Sequence, residues 1–294
     1  MLVLGVDVGG TKIAAGRVNE RAELLATTTL ATRAAEGFDV SFAQIVRAAE
    51  ECLTADVAAI GICAPGPLNP KTGVVLNPPN LPGWRDVPLA ELLSRRFGLP
   101  CKLENDANAA GLAETLFGAA RGHAGVLYVT LSTGIGTGII LDGKIHHGAN
   151  GAAGEGGHVT IDYRSEAVCN CGTPGCIEAL ASGSALARRG PAPEELARRI
   201  HEGDPRAVRV LDEWSEMLAA WLGGMINLLD PEIIVIGGGL SRIGEPLYTR
   251  LRERTPRRTI NRSAARTPIV PAALGEHTGV LGAAAVALAR TLPG

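Results

Sequence analysis

Apolar residues dominate positions 2–8, a β-rich run that stops at Gly9-Gly10 and resumes over Ile13–Val18, so two strands joined by a glycine turn are expected. The pattern returns later. A strand is predicted over Val126–Leu131, a Gly/Thr-rich turn over Ser132–Gly138, and a strand over Ile139–Leu141. This is one unit repeated, and it predicts two related α/β lobes facing each other.

Helical periods alternate with strands between and after these hairpins. Asp39 is expected to cap a helix running to about Leu53, with Val40, Ala43, Val46 and Ala49 on one face. Ala58–Ile62 reads as a buried strand leading into a rigid loop, Ala64-Pro65-Gly66-Pro67. Pro88 opens a short helix that Gly98 closes. Cys101–Glu104 reads as a strand, and Asn105-Asp106 begins a helix ending near Gly118. Asp204 and Pro205 start the longest helix, to about Leu229; Ile233–Ile236 is a strand ending in Gly237-Gly238-Gly239. An alanine-rich helix is expected over Val280–Arg290. The alternation argues for α/β architecture.

Composition narrows the class. The 294 residues are 46% apolar but only 3% aromatic, so Ala, Val, Leu and Ile must fill the core of a chain long enough for two domains. A net charge of −2 gives no basic face for nucleic acid. The N-terminus has no basic region or cleavage site, and no apolar run approaches the roughly 20 residues of a membrane span, so a cytoplasmic protein is expected. Cys52, Cys63 and Cys101 lie in apolar stretches and are expected to be reduced core thiols.

The other three cysteines carry chemistry. Cys169, Cys171 and Cys176 lie within eight residues, looped by Gly172-Thr173-Pro174-Gly175, and ten residues separate His158 from Cys169. That is a ligand set for one tetrahedral zinc ion. With four protein ligands the ion has no open position and is read as structural. Buried free thiols or a disulfide are the alternatives, and nothing marks the chain as secreted. Glu155 and Glu178 flank this stretch, where a polyhydroxylated substrate could be held.

Three glycine-rich turns let backbone N–H groups approach anionic oxygens. They are Gly9-Gly10-Thr11-Lys12, the turn containing Thr133 and Gly134, and the one containing Gly238. Asp7 is a candidate to hold Mg²⁺ through water, and Lys12 to meet a phosphate. Together the turns suggest a nucleotide cleft, although Walker A and protein-kinase signatures are absent. Glu104-Asn105-Asp106 sits at a strand-to-helix junction. One reading is that Asn105 or Asp106 simply caps the helix; beside a nucleotide, Asp106 is a candidate general base and Asn105 a hydroxyl partner. Asn80, in Pro78-Pro79-Asn80, is a weaker candidate for the same pocket or a turn residue.

These motifs, in this order over essentially the full length, resemble the kinases of the ROK family (repressors, open reading frames and sugar kinases). The resemblance implies an actin-like, RNase H-like ATPase fold with a central cleft. Residues 1–117 with a C-terminal helix at about 280–294 would form the small lobe, and residues 118–279 the large lobe with the zinc loop and a dimer surface. It implies Asp106 as catalytic base, and sugar contacts from Gly66, Asn105, Glu155, His158 and Glu178. It implies ATP contacts at Asp7, Gly10, Thr11, Lys12 and Thr133, and zinc on His158, Cys169, Cys171 and Cys176. A homodimer is expected from similar proteins. Gly156 stands where a larger residue is usual. The reaction expected is transfer of a phosphoryl group from ATP to a hexose 6-hydroxyl, glucose first. Other acceptors are N-acetylglucosamine, N-acetylmannosamine, mannose, fructose or allose. The other reading is a sugar-responsive transcriptional regulator of the family; such repressors carry a helix-turn-helix ahead of the first turn, and with that turn beginning at Asp7 none is expected here.

Overall fold

A computed structural model describes residues 1–189, 192–261, 263 and 266–289. Its first sheet contains β1 (Leu2–Val8), β2 (Lys12–Asn19), β3 (Leu24–Ala31), β4 (Val57–Ala64) and, after a small hairpin of β5 (Leu68–Asn69) and β6 (Val74–Val75), β7 (Cys101–Asn105). The order is β3-β2-β1-β4-β7; β2 runs antiparallel to both neighbours, and β1, β4 and β7 are parallel. The second sheet has β8 (Gly125–Leu131), β9 (Ile135–Leu141), β10 (Lys144–Ile145), β11 (Ile233–Gly237) and β12 (Ile269–Pro271), in the order β10-β9-β8-β11-β12. There β8 and β9 are antiparallel while β8, β11 and β12 are parallel. The two sheets thus repeat one strand plan, as the duplicated hairpin predicts, and it is the RNase H-like plan.

The helices are α1 (Phe38–Cys52), α2 (Leu89–Phe97), α3 (Asp106–Leu116), α4 (Ile177–Ala181), α5 (Gly183–Arg189), α6 (Pro193–His201), α7 (Pro205–Leu229), α8 (Glu245–Arg254) and α9 (Thr278–Leu288). Packing divides the chain into two units. One holds Met1–Arg121, Gly143–Gly151 and the chain from Leu274 on; the other holds Gly122–Asp142 and Ala152–Ala273. Arg290, and the rest of the expected 280–294 stretch after Ala289, lie outside the described residues.

In the first unit β1 is buried on both faces. Leu4, Val6 and Val8 join the core that includes Ile45, Ala48 and Ala49 of α1, while Gly5 and Gly61 lie against α9. A Cβ on Gly61 would stand 2.7 Å from the Ala283 carbonyl carbon and 3.1 Å from the Ala287 nitrogen. The alanine-rich helix therefore sits directly on the sheet backbone. In the second unit α7 supplies the core, with Leu211, Trp214, Leu218, Trp221 and Leu222 buried against the strands. Trp214 Nε1 donates to Ala181 O (2.7 Å) and Trp221 Nε1 to Gly156 O (3.1 Å), so this one helix is tied both to the end of α4 and to Gly156.

Several expectations change. Gly37, not Asp39, occupies the N-cap of α1, and its buried face is Ser41, Ile45, Ala48, Ala49 and Cys52; Val40 and Val46 are half-buried and Ala43 is exposed. β9 begins at Ile135, so Gly136 to Gly138 belong to the strand, because they pair with β8, and the turn shrinks to Ser132–Gly134. The caps at Gly98 and Asp204 stand where expected. Among the described residues no helix is long and apolar enough to cross a membrane.

Candidate active site

The first unit gathers its chemistry at the C-terminal ends of its parallel strands, the edge at which open α/β sheets bind ligands. Strand register places Asp7 beside Cys63 and Cys63 beside Glu104. Cys63 is not in an apolar setting as expected: its thiol donates to Asp7 Oδ1 at 3.3 Å and to Gly279 O at 3.4 Å. Burial, then the charges of Asp7, Asp106 and Glu104, push that thiol far up, so it is a donor and not a nucleophile. Burial also raises the Asp7 carboxyl, against the Cys63 hydrogen bond and the charge of Lys12. A cation there would relieve that penalty. A Cβ on Gly279 would strike the Asp7 carboxylate, so α9 packs against it.

The first turn is closed by Gly9 N donating to Lys12 O (2.9 Å) and Thr32 Oγ1 donating to Gly9 O (2.6 Å). Thr11 and Lys12 are exposed. Asn80 is brought close: a Cβ on Gly10 would lie 2.7 Å from Asn80 O. Gly66 follows β4, with a cis bond to Pro67.

At the end of β7, Asn105 caps α3, its Oδ1 accepting from Ala107 N (2.9 Å) and Asn108 N (3.2 Å). Asp106 is the first helical residue and exposed, and its Oδ1 accepts from Ala107 N at 2.8 Å. Asn105 thus does the capping, and the exposed Asp106 carboxylate stands at the N-terminus of α3. Beneath lies Glu104, only 3% exposed. Its Oε1 accepts from Asn105 N (2.9 Å) and Asn108 Nδ2 (3.1 Å), and its Oε2 meets His147 Nε2 at 2.6 Å.

The second unit holds the cysteine cluster. The four donor atoms of His158, Cys169, Cys171 and Cys176 lie within 4.8 Å of one another. Cys171 Sγ and Cys176 Sγ are 3.7 Å apart and unbonded, and His158 Nδ1 is 3.4 Å from Cys169 Sγ. A tetrahedral ion with bonds of about 2.3 Å to sulfur and about 2.0 Å to nitrogen has edges of about 3.8 Å and about 3.5 Å, so the set fits a metal. The loop is shaped by Gly172 and Gly175, at φ +88° and +74°, and by Cys169 N donating to Thr173 O at 3.0 Å. A backbone hydrogen bond at Thr173 holds the exposed Cys171 thiol down at about 7, while burial pushes Cys169 up to about 12.

Glu155 and Glu178 are placed by this cluster. His158 Nε2, the nitrogen turned away from Cys169, stands 3.7 Å from Glu155 Oε2. Glu178 Oε1 is 3.5 Å from Cys169 Sγ, and its Oε2 accepts from Ile135 N at 2.9 Å, just after Thr133 and Gly134. The Thr133 turn rests on α5, with Gly183 N donating to Ser132 O (2.7 Å) and Ser184 N to Thr133 O (3.1 Å). A recess of about 300 Å³ opens there, lined by Ser132, Thr133, Ser184, Glu194, Gly239 and Leu240 among others. Gly239 lines it rather than Gly238, which at φ +86° packs on Leu131.

Sequence reasoning singled out neither His147 nor the recess residues Ser184, Glu194 and Leu240. Glu104 carried one signal, its place in Glu104-Asn105-Asp106 at a strand-to-helix junction. His147, 43 residues further on, carried none.

The sequence profile of the ROK family matches residues 3–290. The chain is 35% identical over 306 residues to a glucokinase of Thermotoga maritima, covering 97% of this chain and 96% of that protein. A ROK hexokinase from Thermus thermophilus superimposes with a TM-score of 0.86 at 38% identity, covering 99% of each chain. A ROK family glucokinase from Streptomyces griseus, solved with glucose and AMPPNP, gives 0.84 at 35% identity, over 98% of this chain and all of that one. With its duplicated RNase H-like sheets and a profile match of nearly full length, the chain belongs to the ROK family.

Proposed function

We propose that this protein is an ATP-dependent hexose kinase, a glucokinase, acting on the sugar 6-hydroxyl. The observation that carries the reading is Asp106: an exposed carboxylate on the first residue of α3, past the end of β7, beside the row of Asp7, Cys63 and Glu104. There it would take the hydroxyl proton as oxygen attacks the γ-phosphorus in line. Such general-base help is worth roughly 10²–10⁴-fold. The identity to glucokinases over nearly the whole chain supports glucose as acceptor.

The remaining groups take supporting roles in this reading. Gly66, Asn80, Asn105, Glu155, His158 and Glu178 bind sugar hydroxyls. Asp7, Gly9, Gly10, Thr11, Lys12, Thr133, Gly134 and Gly238 serve the nucleotide, with the recess by Thr133 taking its nucleoside. Mg²⁺, when bound, neutralises charge on the phosphates, and Asp7 is the residue to hold it. The metal at His158, Cys169, Cys171 and Cys176 is zinc in a structural role. With its Nδ1 on the ion, the His158 Nε2–H becomes a fixed donor beside Glu155. A cytoplasmic homodimer is part of the same reading and rests on the family alone.

The test is a coupled assay of ADP release with glucose, N-acetylglucosamine, N-acetylmannosamine, mannose, fructose and allose. The highest kcat/KM is expected for glucose. A higher value for another sugar overturns the choice of substrate, and ADP release with none of them overturns the kinase.

A further inference from the structure

His147 lies far from Asp106 in sequence, yet one buried carboxylate joins them. Glu104 Oε1 is occupied by two N–H donors from the turn that bears Asp106, and Oε2 by His147 Nε2. A carboxylate has no proton to give, so with Glu104 in that form the contact is His147 Nε2–H donating to Oε2. The side chain is 30% exposed, so it does not serve as core filling. Its own segment, Gly143–Gly151, packs within the first unit, where Lys71 Nζ donates to Ala149 O at 3.3 Å.

We propose that His147 is a positioning residue for phosphoryl transfer. By holding Oε2, it stops the Glu104 carboxylate from rotating and keeps Oε1 on Asn105 N and Asn108 Nδ2. Those two contacts set the first turn of α3 and hence the direction of the Asp106 carboxylate. Without His147, a buried carboxylate oxygen loses its partner, and the cheapest relief is rotation away from the turn. Displacing a base by about 1 Å can cost on the order of 10²-fold in rate. The proposal rests on the reading of Asp106 as base.

The experiment compares His147→Ala, His147→Gln and Asp106→Asn in the full-length protein, with kcat and both KM values measured. The Gln amide reaches the place of Nε2 and donates, so it restores the link that Ala removes. His147→Ala is expected to lower kcat by about 10- to 100-fold, up to the cost of misplacing the base by about 1 Å, with KM for sugar and ATP within about threefold. His147→Gln should recover most of that loss. Unchanged kcat in His147→Ala overturns the proposal, as does a Gln variant no better than Ala, or a loss carried in sugar KM, which would make His147 a sugar ligand. Asp106→Asn separates the two ideas. Full turnover there removes the base reading itself, while a dead Asp106→Asn beside a fully active His147→Ala leaves the base and removes only the positioning role. If His147→Ala does not fold, His147→Gln with wild-type kcat beside His147→Asn, whose shorter amide cannot reach Glu104, gives the same decision.

Discussion

Gly183→Ala tests whether the recess beside the Ser132–Gly134 turn is where the nucleotide binds. A Cβ at Gly183 would lie 2.6 Å from Ser132 O and 3.2 Å from its carbonyl carbon. Carbon–oxygen contacts settle at about 3.3–3.6 Å, so the turn must recede by about 0.7–1 Å. Two backbone bonds hold it now: Gly183 N to Ser132 O at 2.7 Å and Ser184 N to Thr133 O at 3.1 Å. Receding that far takes the first past about 3.2 Å, where such bonds fade, and lengthens the second. Each is worth about 0.5–1.5 kcal/mol, so their loss costs about 1–3 kcal/mol. Charged to nucleotide binding, that is a fall in affinity of about 5- to 150-fold. Titration calorimetry with a non-hydrolysable ATP analogue measures it, and glucose binding serves as the internal control. Wild-type nucleotide affinity in a folded Gly183→Ala protein, or equal weakening for glucose, would refute the reasoning.

Asp106→Asn should keep glucose affinity and lose about 10²–10⁴-fold in kcat, read by coupled assay. Cys171→Ser is expected to lower bound zinc, measured by elemental analysis, and to raise glucose KM, because His158 and Glu178 are then no longer held; zinc lost with unchanged KM would show the ion has no bearing on the sugar. The pair of His147 with Glu104 predicts a pH dependence of stability. Its hydrogen bond and the charge of Glu104 raise the His147 pKa, against desolvation and the charges of Lys71 and Lys102. The native state therefore binds the proton more tightly than the unfolded chain, in which His titrates at about 6.5. Stabilisation is complete below that value and fades as pH climbs through the higher native pKa. Urea unfolding of wild type and His147→Gln should show a gap that closes from pH 6 to pH 9, and a gap that widens instead would contradict the pairing.

Local features were legible in the chain. The histidine–cysteine cluster was readable because its three cysteines fall within eight residues, where glycine and proline dictate loop closure before any tertiary contact forms. The ends of α2 and α7 were readable from Gly98 and Asp204, whose capping acts over a single turn. The duplicated hairpin was readable because both copies keep the same apolar period. Its second turn was misjudged, since Gly136 and Gly138 look like turn residues in isolation and become strand residues only when β8 is there to pair with them. The buried face of α1 was likewise misjudged: its period was right, but which side is covered depends on the sheet it meets.

By itself, then, the sequence determined the two related hairpins, the ends of α2 and α7 and the identity of the clustered cysteine, histidine and acidic side chains, because these rest on backbone preference and contacts between near neighbours. Only the tertiary structure decided that Asp7, Cys63 and Glu104 form one row, that His147 closes on Glu104, and that Ser184 and Gly239 meet at one recess. Those neighbours come from strand register and from segments tens of residues apart, and no local pattern along the chain encodes which distant segment will arrive.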